Sequence, residues 1–418
     1  MEKSSRMCVD AGRSRLFGRA EFLGALGVAA TPLLAGVAGA TEPLRPSDPA
    51  RLSGQLASLT PPSGLARGNA AAARIAASSR FVAKTYAATL ALARSIGDRA
   101  LRESVLALLD DPKPTYAAKY PTPESRAALR DALVREGFIA AGSPVEAIFP
   151  SGTEADTTRA PQPFWCAGGS GENSHHSYPG GLLVHEFFNA SLATSFASAY
   201  DRVYFSNRNT IDRDTVIGAA LYHDIMKTVV FQWNQDGTLF KEYPIGGAGK
   251  EDGGHHVLSG AEAIVRGRSA RFVIALLSAH AAPSLGDEAK VAKWCRAAAL
   301  VAGIDPVEYG LLKKNGSDYV LAPTYVPIEA FVNYLSDHDY VLSVHAVHEV
   351  LPQLQRLAPR YVVSSTNATA TARRGLYTSF AWFKNDAFST LSAIGLYQTL
   401  AGGGEGAFDR AIAKLTER

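Results

Sequence analysis

A chain of 418 residues with 47% apolar and 19% charged side chains is long enough for one large or two modest globular domains and is not a disordered polymer. Its formal net charge is +3, and two of those charges belong to residues 1–40, where Lys3, Arg6, Arg13, Arg15 and Arg19 face Glu2, Asp10 and Glu21. The remainder is close to neutral, which removes the electrostatic case for nucleic acid or an anionic membrane surface as a partner.

Residues 1–40 have the layout of an export signal: a basic stretch through Arg19, the apolar run FLGALGVAATPLLAGVAGA, and the small-residue site Ala38-Gly39-Ala40 before Thr41. GRAEFLG is similar to the bacterial twin-arginine signal, with Ala20 at the second arginine position. The expected product is a periplasmic or secreted protein, exported by that or the general route, with no transmembrane span after signal removal. Of three cysteines, Cys8 falls in this leader, so Cys166 and Cys295 remain either to pair or to stay as separate buried thiols.

Residues 41–68, rich in Pro and Ser, read as a linker, and 69–174 as a helical region ending in a long loop. Ala70 to Ile96, Asp98 to Leu109 and Pro123 to Glu136 are its helices, the last with Thr122 as N-cap, Pro123 at the first position and Glu124 in the first turn. Residues 140–174 show no period and are expected to form a long loop that either lies over something functional or is mobile.

From His175 the 3.6-residue period predicts helices at Gly181–Tyr200, Asp212–Lys227, His256–Arg266, Ala270–His280 and Val291–Ala302. TVVFQWNQDGTLFKEYPI alternates apolar and polar residues about Asp236-Gly237 and predicts a β-hairpin, with a second β segment in SDYVLAPTYVP. Residues 374–400 and 406–416 supply closing helices. IGGAGKED fails as a phosphate-binding loop, since Pro244 and Glu251 occupy required positions, although Lys250 could meet an anion there.

Five segments place imidazole or carboxylate groups in apolar surroundings: GGLLVHEFF (His185), ALYHDIMK (His223, Asp224), GGHHVLSGAE (His255, His256), LLSAHAAP (His280) and FVNYLSDHD (Asp337, Asp339). An unpaired polar group in such a setting is costly, and a metal ion explains the expense. Imidazole and carboxylate together suit zinc, iron, manganese or nickel. Neighbours on a helix point about 100° apart, so His223 and Asp224 can grip one ion at a helix end while the carboxylate leans to a second.

The order His, His-Asp, His, His, Asp resembles the HD superfamily of metal-dependent phosphohydrolases, over residues 175–350. HHSYPGGLLVH is similar to the opening segment of its members with a His-His pair and a Gly-Gly turn, and ALYHDIMK to its doublet helix. The resemblance implies a mainly α fold, an HD-type helical bundle core with a small β-hairpin insertion and N- and C-terminal helical extensions, residues 351–418 forming the latter. It implies His185, His223, Asp224, His256, His280 and Asp337 as ligands of one or two divalent transition metal ions, His256 being favoured over His255 by its spacing to Gly260. It also implies hydrolysis of a small phosphate ester, such as a nucleotide, by a metal-activated water with Asp224 in the reaction, Lys227 as a phosphate-facing or aspartate-orienting cation, and Lys227 or His176 helping to bind the phosphate. Met226 and Ala279 depart from the family's pattern, which bears on the second ion. Two other readings share the ligand set: a di-iron oxygenase and a metal-binding scaffold without catalysis.

Overall fold

The computed structural model describes residues 59–65, 67–149, 161–240, 242–247, 253–284, 286–363 and 376–417. The export signal, most of the 41–68 linker, part of the 140–174 loop and Lys250 lie outside the described residues. Those described belong to one compact unit, Leu52–Arg418. The fold is mainly α, and no helix among the described residues is long and apolar enough to cross a membrane.

The N-terminal helices are α1 (Arg67–Ser78), α2 (Arg80–Arg94), α3 (Arg99–Asp110) and α4 (Pro123–Arg135). The single helix expected over Ala70–Ile96 is broken at Ser79, whose side chain caps α2 through the Val82 N–H and donates to Ser389 O at 2.6 Å. Asp98 caps α3, and Thr122 and Ser125 form a reciprocal capping box at α4, so these boundaries follow from local chemistry.

The core is built around α5 (Gly181–Tyr204), which packs along α6 (Arg213–Tyr222). A short helix α7 (Lys227–Val230) follows, then α8 (Gly254–Val265), α9 (Ala270–Leu277) and α10 (Glu288–Ala302), with α8 lying against α10. After the antiparallel pair β1 (Leu312–Asn315) and β2 (Asp318–Leu321), in register Leu312 to Leu321, come α11 (Ile328–Ser336) and α12 (Tyr340–Leu357). The main apolar core runs from Ala73 and Ala76 of α1 to Val332 of α11, with Leu182, Leu183, Ala190, Ala193 and Ala197 of α5 all buried in it. Glu262 ties α8 to the 115–116 turn: it accepts from the Thr115 and Tyr116 backbone and from Arg266.

The hairpin expected at 228–245 forms only around its turn. Thr228–Val230 is helical; beyond it the Phe240 N–H donates to Gln232 O and the Asn234 N–H to Thr238 O, both at 2.8 Å, on either side of the Trp233–Leu239 bridge, and a further isolated bridge joins Pro244 to Gly253. Its surroundings are tertiary. Phe231, Trp233 and Leu239 bury with Ala72 of α1 and Trp382, while the Trp233 N–H goes to Asn69 Oδ1 and the Leu239 N–H to Glu172 Oε2. The outward donors of the bridged pair thus meet side chains, not a further strand. The regular strand pair lies at 312–321; its second strand, Asp318–Leu321, falls in the segment where a second β element was expected, and its first, Leu312–Asn315, lies before that segment.

The C-terminal helices α13 (Phe380–Leu391) and α14 (Ala393–Leu415, kinked at Gly404) form a second apolar cluster with α12 and Tyr178. From α13, buried Lys384 pairs with Glu172 and donates to Asn173 Oδ1 at 3.0 Å, Asn385 donates to Gly237 O at 2.8 Å, and Ser389 donates to Pro179 O. This helix therefore grips both the 168–180 loop and the 235–237 turn. Cys166 and Cys295 are separate, buried and unpaired with each other.

Candidate metal centre

Helix ends bring the site together. His185 stands in the first turn of α5 and His255 and His256 in the first turn of α8, while His223-Asp224 follow α6, His280 ends the 3-10 turn after α9, and Asp337 follows α11. The C-terminal ends of three helices thus face the centre, an arrangement favourable to positive charge. The approach of the 168–180 loop to α5 depends on two glycines. Gly180 has φ 89°, and a Cβ on Gly181 would stand 1.8 Å from His176 O, so only glycine fits the crossing.

His185 Nε2 lies 3.3 Å from Asp224 Oδ2 and 3.0 Å from Asp337 Oδ1, and His223 Nε2 lies 3.5 and 3.4 Å from the same two oxygens. These four atoms are spaced as the corners of one coordination shell. On the other side, Asp224 Oδ1 is 3.1 Å from His255 Nε2 and 3.6 Å from His280 Nε2, which is also 3.4 Å from Asp337 Oδ2. Asp224 therefore turns one oxygen to each of two donor sets, and Asp337 does the same.

The donors fit divalent ions on independent grounds. Oδ1 of Asp224 and Nε2 of His223 are buried without a hydrogen-bond partner, and Oδ2 of Asp224 has its ion pair to Lys227, an expense that a cation between the donors would remove. Of the carboxylates in and beside the cluster, Asp224 pairs with Lys227, while Glu186 lies against His223 and Glu242 against His255. His223 Nδ1 donates to Ala220 O at 2.8 Å and lies 3.2 Å from Glu186 Oε2, which leaves Nε2 to face the aspartates. Asn189 donates to Asp337 Oδ1 at 2.9 Å and holds it in place.

Electrostatics follow the same division. Burial opposes protonation of His185, but the Asp224 and Asp337 carboxylates outweigh it and lift the imidazole to about 9. His223 is likewise raised, burial being outweighed by Glu186 and Asp224. Burial would raise Asp224, yet Lys227 and the surrounding histidines hold it well below the usual carboxylate range. Burial pushes His280 down to about 3, and His256 falls well below an ordinary histidine for the same reason.

All six residues taken from the sequence as ligands are in or beside this cluster. His256 differs from the rest: its ring centre lies 4.5 Å from that of Trp294, and its Nε2 has no hydrogen-bond partner. Neighbouring His255 points its Nε2 at Asp224. Lys227 pairs with Asp224 and donates to Gly169 O at 2.7 Å, so it orients the aspartate and ties down the loop. His176, at φ 54°, lies 3.3 Å from Asp339 Oδ2 and lines a separate cavity with Tyr178, whereas His175 lines the metal-site cavity. That cavity, about 260 Å³, is also lined by Ser170, Gly171, Phe231, Glu242, Lys290 and Trp294. Sequence reading missed Glu186, Asn189 and Glu242. The first two had a signal, as polar residues one and four places after His185 on an apolar helix, and Glu242 had none.

No family profile and no solved structure matches the chain. Among curated proteins, the dihydroneopterin 2',3'-cyclic phosphate phosphodiesterase of Methanocaldococcus jannaschii is 28% identical over 148 residues, which is 35% of this chain and 43% of that protein. The chain thus spans less than half the length of the relative it matches. In sequence it is a distant, partial relative of a phosphodiesterase, and in structure it carries a buried histidine-aspartate cluster able to hold metal.

Proposed function

We propose that the chain is an HD-type, metal-dependent phosphohydrolase that cleaves a small phosphodiester. The observation that carries this reading is Asp224, whose two buried oxygens each face a different set of histidines. His185, His223, Asp224 and Asp337 would hold one ion, and Asp224, Asp337, His280 and a histidine of the 255–256 pair a second. Divalent ions there supply Lewis-acid polarisation of the phosphoryl group and acidify a water.

The chain's own residues do the rest. Lys227 keeps Asp224 ionised and aimed, and Glu186 fixes the face His223 presents. The cavity's small volume and its two lysines, Lys227 and Lys290, favour a compact anionic substrate. A cyclic phosphodiester is the form suggested by the name of the relative. Residues 1–40 are proposed to direct export, on the basic, apolar and small-residue order of that segment.

The test is metal analysis of purified protein with an ester panel: bis(p-nitrophenyl) phosphate, 2',3'- and 3',5'-cyclic nucleotides, and p-nitrophenyl phosphate. Diester cleavage that requires metal and disappears in His223→Ala is expected. Two irons with oxygen uptake and no ester cleavage would transfer the chain to the oxygenases. No metal after reconstitution, with His223→Ala affecting stability alone, would make it a scaffold.

A further inference from the structure

Glu242 lies outside the helices that supply the metal-facing donors, in the extended segment after the Asp236-Gly237 turn. Its carboxylate receives the His255 ring from both oxygens, at 2.9 and 2.8 Å from Nδ1, and Oε2 also accepts from the His255 backbone N–H at 3.1 Å. An ionised carboxylate can only accept, so Nδ1 carries the hydrogen. In neutral His255 the lone pair then belongs to Nε2, the atom 3.1 Å from Asp224 Oδ1. The packing leaves little freedom: a Cβ on Gly253 would come within 2.4 Å of Glu242 Oε1 and 2.7 Å of the His255 ring.

His256 has no such partner. Its Nδ1 lies 3.4 Å from His255 Nε2, and its ring is held between Trp294 and His280, with centres at 4.5 and 5.0 Å. From this difference we infer that Glu242 is a positioning residue that makes His255, not His256, the α8 ligand of the second ion. The carboxylate acts on the second ion through the imidazole. Since Glu242 also lines the cavity wall, the second ion and that wall are joined through one hydrogen-bonded pair. The inference rests on the two-ion reading above.

The experiment is a Mn²⁺ titration of the full chain by calorimetry, with bound metal counted by mass spectrometry, for wild type, Glu242→Gln, His255→Ala and His256→Ala. Wild type is expected to take two ions. Glu242→Gln should bind the first ion as wild type does, an internal check of folding, and the second roughly 10- to 100-fold more weakly, the usual effect of losing an outer partner of a ligating histidine. His255→Ala should lose the second ion, and His256→Ala should keep both. Two ions at wild-type affinity in Glu242→Gln, or loss of the second ion in His256→Ala but not in His255→Ala, would overturn the inference alone. A wild-type chain that takes up one ion or none would overturn the two-ion reading and the inference with it.

Discussion

Binding of an ion to the first donor set is expected to strengthen steeply between pH 7 and 9. The cause is His185, whose Nε2 faces two carboxylates and whose folded value is about 9, against about 6.5 for a free imidazole. An ion needs the unprotonated nitrogen, so at pH 7 it must first displace a proton held about two units too tightly. At roughly 1.4 kcal/mol per unit this costs about 2.7 kcal/mol, or about 100-fold in affinity. His223 is shifted in the same direction and adds to the dependence. The sign for stability is opposite. Because the folded value of His185 is raised, its contribution to the metal-free chain is complete below about pH 6.5 and is lost as pH rises through 9. His280, held near 3, is already neutral at pH 7 and contributes no such slope. Mn²⁺ calorimetry at pH 7, 8 and 9, in buffers of different ionisation heat, measures both affinity and proton release. The expected result is a gain of at least about tenfold per unit between pH 7 and 9, with at least one proton released at pH 7. A flat affinity with no proton release would refute the reasoning.

Three substitutions extend these tests. Lys227→Met strips Asp224 of its buried cation and should destabilise the metal-free chain by about 3–5 kcal/mol; the loss should shrink when Mn²⁺ is bound, and equal losses in urea titrations with and without metal would contradict the role given to Lys227. Glu262→Ala leaves the Thr115 and Tyr116 N–H groups and Arg266 without their acceptor, which should cost about 3 kcal/mol or more in the same titration with Mn²⁺ affinity unchanged. Gly181→Ala drives a methyl group into His176 O; faster amide exchange is expected across residues 169–180, and unchanged protection there would show that the crossing is looser than described.

Local chemistry made much of the fold legible. Thr122 and Asp98 announce their helices because capping is a contact between near neighbours, and the ordered histidines and aspartates mark helix ends that converge. The 228–245 segment reads too long in sequence: its alternation satisfies the rule for a strand, but only 232–240 pairs about the Asp236-Gly237 turn, and Asn69 and Glu172, which take the outward donors of that pair, are remote in sequence. The His255-His256 pair was ambiguous for a related reason. Adjacent residues at a helix start face about 100° apart, and the ring of one of them, His255, is held by Glu242, a loop carboxylate with no periodic context. Glu186 and Asn189 were readable in principle, since each is a polar side chain on a helix otherwise apolar near His185.

The grip of α13 on the 168–180 loop implies an order of assembly. Lys384 and Glu172 are 212 residues apart, and the turn at Gly237 and the loop at Pro179 are fastened by the same late helix. During synthesis the histidines and aspartates all emerge before it does, so a nascent chain owns every ligand while the roof over them still lacks its fastening. Closure of the pocket is then a late event in the life of the chain, and an ion that arrives earlier meets ligands not yet held in register. A copy stopped after Arg360 would carry the whole donor set and none of this brace, and weak, heterogeneous Mn²⁺ uptake by such a copy is the expected mark of a centre finished from its far end.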